Sequence, residues 1–330
     1  MSSSLAVPPL AVGASQAEDK PPKPPAPVVN FPNSPIPKNS LGEGRFIKTA
    51  AALIIGDEIL NGNTLDRNSN YFARFCFENG IELQRIEVIA DDELEILEAS
   101  RRMVQKYDFV ITSGGIGPTH DGKCINPCCD SRRSECLSFR DITYASLAKS
   151  FGQELKYHGE TIARMEEASR HRTWITQQSE EQRTARKRMA LFPEAGEVLF
   201  VASDIWVPVV RLEGKLCIFP GIPSLFQKLL DNLKPFLPLP TEDARPFRLQ
   251  VFTPLPESSI APFLTALQKR VKPENIRIGS YPLLQPGAHI ALIGLDRERV
   301  KELGLEVEKE LQGRILSAEE TEAMIKAKRQ

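Results

Sequence analysis

The sequence predicts an α/β protein, a three-layer α/β/α arrangement on a mostly parallel sheet followed by a small α+β subdomain. Two observations carry that prediction. Apolar runs of strand length alternate with helical patterns from Lys48 to about Phe236, which implies right-handed crossovers and helices on both faces of a parallel sheet. After the proline-rich "KPFLPLPTEDARP" the alternation restarts on a smaller scale, as expected beyond a linker.

The elements follow in order. The first 45 residues are rich in Pro, Ser and Ala and show no helical or strand period, so residues 1–45 are expected to form a disordered arm. "KTAAALIIGDEIL" opens on a near-continuous apolar run, the pattern of a parallel strand buried on both faces. "DRNSNYFARFCFENG" reads as a helix stopped by Gly80, "IELQRIEVIA" as a second strand, "DDELEILEASRRMVQK" as a second helix and "DFVITSGG" as a third strand. Helical patterns resume at "DITYASLAKSFG" and "ETIARMEEASRHR". Strands are then expected at "EVLFVA", "WVPVVRL" and "KLCIFPG", closed by a helix from Ser224 to about Phe236. These elements make a first domain over residues 46–240. "FRLQVFTPL", the helix "ESSIAPFLTALQKRV", strands at "NIRIGSYPLL" and "AHIALIGL", and the helix "DRERVKELGLEVEKELQ" make the subdomain over 246–313, with a frayed charged tail over 314–330.

Composition narrows the function. A formal charge of −1 leaves no basic excess for a phosphate backbone, and two Trp and five Tyr offer few stacking platforms, so nucleic acid is not an expected partner. No apolar run reaches the roughly 18 residues of a membrane span, and the N-terminus lacks the order of a secretion signal, so the expected location is cytoplasmic and no membrane partner is expected. A mitochondrial presequence is disfavoured because no Arg precedes Arg45 while Glu18 and Asp19 are present. Cys76 and Cys217 lie in apolar surroundings and read as small buried hydrophobes. His158 and His171 read as solvated, His289 as structural, and the "RTARKRMA" run as a solvated face from which Arg186 or Arg188 would reach a phosphate only on the sharper reading.

The chemistry gathers at strand ends. Ligands of open parallel sheets bind outside the carboxyl ends of the strands, and "GDEILNG", "ADDE" and "TSGGIGPTHD" follow the first three. Gly114, Gly115 and Gly117 permit positive φ and close backbone approach, so successive N–H groups can face an anion. Carboxylates beside such a cradle would repel a phosphate unless a divalent cation screened them. Asp57, Glu58, Asp91, Asp121 and Asp141 therefore make sense together as ligands of Mg²⁺, Mn²⁺ or Co²⁺ or as water-orienting bases. The plainer reading is that Asp91 and Asp92 cap the following helix while Asp57 and Glu58 end a strand.

"LIIGDEILNG", "SGGIGPTHD" with the displaced "DIT" of Asp141 to Thr143, and "FPGIPSLF" together resemble the molybdopterin-binding (MoCF biosynthesis, MoaB/Mog-like) domain, in the subtype of CinA proteins and of the N-terminal half of FAD synthases. "ESSIAPFL" and "RIGSYPLL" resemble the small subdomain of that subtype. The resemblance implies a pterin or nucleotide ligand held by its phosphates, with Asp91 and Asp141 as the important carboxylates. Gly56, Ser113, Gly114, Gly115, Gly117, Pro118, Thr119, Thr143, Pro220 and Gly221 are then the candidate substrate-binding residues, and Asp57, Glu58 and Asp121 the candidate metal ligands. It implies metal-dependent hydrolysis of a pyrophosphate bond in FAD or ADP-ribose, with molybdopterin adenylylation or simple ligand binding as alternatives, and a homo-oligomer. The deamidase and FAD-forming adenylyltransferase regions of such proteins are not matched in this sequence.

Residues 122–140 interrupt that resemblance. Joining Asp121 to Asp141 restores "GPTHDDIT" without a gap, and the intervening stretch has no hydrophobic period while holding four of the six cysteines. Cys124, Cys128, Cys129 and Cys136 lack the paired spacing of common structural zinc sites. A translated, unspliced intron is the favoured reading, ahead of a zinc site or an ordered functional loop. The stretch is a whole number of codons, and Gly-Lys-Cys at 122–124 can be encoded with a splice-donor-like GTAAGT.

Overall fold

A computed structural model describes residues 29–117, 142–172, 175, 177–283, 287–317 and 319–321. Strand β1 (Thr49–Ile55) is the apolar run, buried on both faces as expected. It lies between β2 (Glu82–Ile89) and β3 (Phe109–Ser113), parallel to both, and β3 pairs in parallel with β8 (Leu216–Phe219). Two antiparallel strands, β7 (Val209–Leu212) and β6 (Glu197–Leu199), complete the sheet in the order β2-β1-β3-β8-β7-β6. The mostly parallel sheet of the sequence reading is thus present, with an antiparallel edge. The chain turns to opposite sides of β1 to form β2 and β3, so the sheet's switch point lies between β1 and β3.

Alternate residues of β1 feed the two faces. Ala50, Ala52 and Ile54 join one core with α2 (Asn68–Glu78) and α7 (Pro223–Leu233), through Phe72, Phe75, Cys76, Phe226 and Leu229. Ala51, Leu53 and Ile55 join the other with α3 (Glu93–Lys106) and α4 (Ile142–Ser150), through Ile96, Met103, Tyr144 and Leu147. The alanines of β1 let helices approach closely on both sides, while each buried Leu or Ile contributes about 1.5–3 kcal/mol by leaving water. Helices α5 (Gly159–Ser169) and α6 (Glu180–Arg188) lie in the chain between β4 (Leu155–Tyr157) and β5 (Leu191–Pro193), which pair antiparallel. The sequence reading had no element for α6, β4 or β5, because α6 is polar all round and each strand is only three residues long.

The second unit is an antiparallel sheet of β10 (Arg277–Pro282), β11 (Ala288–Gly294), β9 (Phe247–Thr253) and β12 (Arg314–Ile315), in that order. Helices α8 (Glu257–Val271) and α9 (Arg297–Glu310) cover it through Ile260, Leu267, Val300 and Val307.

Three expectations need correction. Residues 29–45 are not a structureless arm: the Phe31 and Ser34 amides donate to the carbonyls of Ser203 and Phe200, and Arg164 donates to the Pro32 carbonyl at 2.7 Å. The cause is a buried aromatic seat, with the Arg164 guanidinium between Phe31 and Phe200. The charged tail begins later than residue 314, because Arg314 and Ile315 pair with β9, Ile315 packs on the second core and the Leu316 amide donates to Gln250. His158 is not solvated. Its Nδ1 accepts the Thr161 amide as the N-cap of α5, and its ring lies against Phe192 and Phe200. The segment 122–140 lies outside the described residues.

Candidate functional site

The carboxyl ends of β1, β2, β3 and β8 converge where the sequence placed the chemistry. Gly114 and Gly115 follow β3 with φ of 105° and 62°, conformations that side-chain-bearing residues rarely adopt. Both are also pressed by neighbours. A Cβ on Gly114 would stand 2.0 Å from the Ile55 carbonyl oxygen, and one on Gly115 would stand 2.2 Å from Thr143 Oγ1 and 3.3 Å from Asp91 Oδ1. On the far side Gly221, just past β8, has its Cβ position 3.3 Å from the Gly114 Cα. Three strand ends therefore meet backbone to backbone around Gly114, which explains why glycine stands on each side of the contact.

Asp91 lies beside that loop. Its Oδ2 accepts the Asp57 amide at 3.0 Å, which holds the carboxylate at the junction of β1 and β2. Asp92, not Asp91, caps α3 by accepting the Leu94 and Glu95 amides. The two adjacent acids thus separate into a helix cap and a group facing the glycine loop, and the plainer reading of Asp91 as a cap is set aside.

Several predicted ligand-binding groups are committed to the protein. Thr143 donates its amide to the Gly115 carbonyl at 3.2 Å and its hydroxyl to the Gly114 carbonyl at 3.1 Å, so it closes the loop from the α4 side. The Gly56 amide donates to Ile89 at 3.1 Å. Ser113 Oγ accepts from Asn68 and points toward the Pro220 carbonyl, 3.5 Å away. Gly117 is exposed at the end of the described loop, whereas Pro118, Thr119, Asp121 and Asp141 lie outside the described residues.

Asp57 and Glu58 open a short helix, α1 (Asp57–Leu60), rather than ending a strand. The Glu58 carboxylate folds back to 2.7 Å from the Cβ position of Gly56. Among the described residues, no group of three or more His, Cys, Asp or Glu is gathered to hold a metal ion. The oxygen donors present suit a hard cation in kind but do not close a cage around one.

Asn68 is the residue that sequence reasoning missed. It begins α2, is 5% exposed, and its Nδ2 donates to both Ser113 Oγ and the Gly221 carbonyl at 2.8 Å. The signal was present, since Asn68 shares the helical face of Phe72, Phe75 and Cys76 and is the polar residue at its start. Elsewhere, Arg186 donates to the Met165 carbonyl and ties α6 to α5, so it serves packing rather than a phosphate. Burial pushes the Cys217 thiol up to about 12 and raises that of Cys76 also, in line with inert core thiols.

Comparison with known proteins agrees with this geometry. Residues 51–125 match the family described as "Probable molybdopterin binding domain", and residues 246–320 match "FAD synthase, middle domain". A protein of Pyrococcus horikoshii is 32% identical over 240 residues, covering 71% of this chain and 84% of its own length. The chain belongs to the molybdopterin-binding family, CinA and FAD-synthase type. A probable FAD synthase of Caenorhabditis elegans is 31% identical across 72% of this chain, and a CinA-like protein of Geobacter metallireducens 29% identical across 55%. The chain spans only 44% of that FAD synthase and 38% of that CinA-like protein. A solved structure of CinA from Thermoplasma acidophilum is 26% identical, with a TM-score of 0.44, over 57% of this chain and 96% of that one. Among the described residues no helix is long and apolar enough to cross a membrane.

Proposed function

We propose that this molybdopterin-binding-family chain binds a dinucleotide such as FAD or ADP-ribose by its pyrophosphate and hydrolyses the phosphate–phosphate bond with a divalent cation. The observation that carries the reading is the pair Gly114–Gly115 at the switch point, with left-handed backbone and the Asp91 carboxylate alongside. The Phe219 carbonyl takes the Gly114 amide at 3.4 Å, so the anion cradle of this reading starts at the Gly115 amide. Among the described residues no acceptor takes the Gly115 amide, which supports a phosphate oxygen as its partner in this reading. In this reading Asp91, whose Oδ2 accepts the Asp57 amide, orients a water and accepts its proton as the oxygen attacks phosphorus. Mg²⁺, Mn²⁺ or Co²⁺, when bound by Asp57, Glu58 and Asp121, would neutralise the bridging phosphates. Asp141 is the second acid of the reading. The names of the FAD synthase relatives support a flavin nucleotide as the first substrate to try.

Purified protein incubated with FAD or ADP-ribose and each cation in turn is expected to release AMP together with FMN or ribose 5-phosphate. Binding by calorimetry with the nucleotide recovered intact would instead support a non-catalytic role. The family's own description favours a pterin ligand as the second reading. Rescue of molybdoenzyme activity in cells lacking the adenylyltransferase would establish it.

A further inference from the structure

We propose that Asn68 is a positioning residue, a clamp that holds the glycine loop and the Pro220–Gly221 turn at a fixed spacing so that both can engage one ligand. The inference rests on the site assignment above and extends it to a residue on a different element. Ser113 and Gly221 are 108 positions apart in sequence (221 − 113) and end different strands, yet one amide group joins them, with both Nδ2 bonds at 2.8 Å. Beyond the β3–β8 ladder, the other polar links among the described residues of these two strand ends are long: the Ser113 to Pro220 contact at 3.5 Å and the Gly114 amide to Phe219 carbonyl bond at 3.4 Å. Asn68 therefore supplies short, directional bonds beside long ones.

Chemistry fixes the orientation of the amide. The Gly221 carbonyl can only accept, so the atom facing it is nitrogen, and Oδ1 is turned away. That oxygen is buried and has no hydrogen-bond donor among the described residues. A side chain retained for stability alone would not leave an acceptor unmatched in the interior, where it costs free energy. Using both donors on two ligand-facing turns accounts for the choice of asparagine despite that cost. The helix beneath is a rigid support, because Asp66 Oδ1 accepts the Asn68 and Ser69 amides and so anchors the start of α2.

Asn79 provides the internal control. It lies at the opposite end of the same helix, is equally buried at 5%, and among the described residues donates Nδ2 to the Phe75 carbonyl alone, within its own turn. Hydrogen exchange of the full chain is measured for Asn68→Ala, Asn68→Asp and Asn79→Ala, together with KM and kcat for FAD or ADP-ribose. Asn68→Asp keeps the size while removing both donors. The Asn68 variants are expected to speed amide exchange at least tenfold in peptides covering 110–117 and 217–223 and to raise KM at least tenfold. Asn79→Ala is expected to lower Tm by as much or more with neither change. Unchanged exchange in both peptides of the Asn68 variants, or the same exchange and KM changes in Asn79→Ala, would overturn the clamp. If the wild-type chain cleaves neither nucleotide, the hydrolase reading fails by itself, and the exchange data still decide the role of Asn68.

Discussion

Gly114 and Gly115 look alike in sequence but differ in what a side chain would strike. At Gly114 the obstacle is the Ile55 carbonyl of β1, which cannot move without breaking the sheet; at Gly115 it is the Thr143 hydroxyl, a side-chain atom that would give up its bond to the Gly114 carbonyl. Gly114→Ala is therefore expected to destabilise the fold by about 3 kcal/mol or more, seen as a large fall in Tm. Gly115→Ala should cost less stability and should lose nucleotide binding in calorimetry, because the new methyl occupies the cradle beside Asp91. Equal losses of stability in the two variants would contradict this division. The sequence made both glycines legible through their spacing, and it marked the acids, but it could not show which donors are already engaged. The resemblance offered Thr143, Ser113 and Gly56 as ligand contacts, and the structure adds that each also has a bond within the protein.

His158 connects a single residue to an element's pH response. Burial lowers its pKa below the ordinary 6.5, with Arg164 adding to the effect and Glu160 opposing it. Only the neutral ring can accept the Thr161 amide at Nδ1 and cap α5. The unfolded chain then takes up the proton first, so stability contributed by the neutral cap is present above pH 6.5 and is lost as pH falls below it. His158→Asn, which caps without titrating, is expected to shrink the difference between urea midpoints at pH 8 and pH 5. An undiminished difference would place the acid sensitivity elsewhere.

At the scale of elements, the docked segment before β1 depends on Arg164 more than on any propensity of its own. Arg164 pairs with Glu160, donates to the Pro32 carbonyl and stacks 3.6 Å from the Phe200 ring centroid, all while buried. Arg164→Met keeps much of the volume and removes those bonds, with an expected cost of about 2–3 kcal/mol and faster proteolysis around residues 29–40. Retained protease resistance would show that the segment is held by its apolar contacts alone. This docking was not legible in the sequence, because a proline-rich stretch without period shows only what it cannot do by itself. The strands and helices of the main sheet were legible for the opposite reason: β1, β3 and β8 are buried on both faces, and α2, α3 and α7 carry apolar residues at helical spacing. The short strands β4, β5 and β12 carry too few residues for any period to appear.

For the whole molecule, the proposed activity is tested most sharply at the chain between Gly115 and Thr143. Those two residues are hydrogen-bonded to each other, so the segment leaves and returns at the same point of the site. With residues 122–140 removed, eight residues remain between them, 116–121 with 141 and 142, which is ample to close a loop on that bond. The deletion is expected to be accepted without strain in the described core and to raise Tm. It would also bring Asp121 and Asp141 into sequence beside the glycine cradle. Transcripts containing only the long form, or stoichiometric zinc in the long protein with activity lost on deletion, would argue that 122–140 belongs to the working protein. The most direct test is cleavage of FAD and ADP-ribose, each with Mg²⁺, Mn²⁺ or Co²⁺, by the full chain and by the chain lacking 122–140, with products resolved by chromatography. A pyrophosphatase built on this site should release AMP with at least one cation, faster in the shortened chain, and should lose that activity on Asp91→Asn. Intact nucleotide in every combination, from folded protein of both lengths, would contradict it.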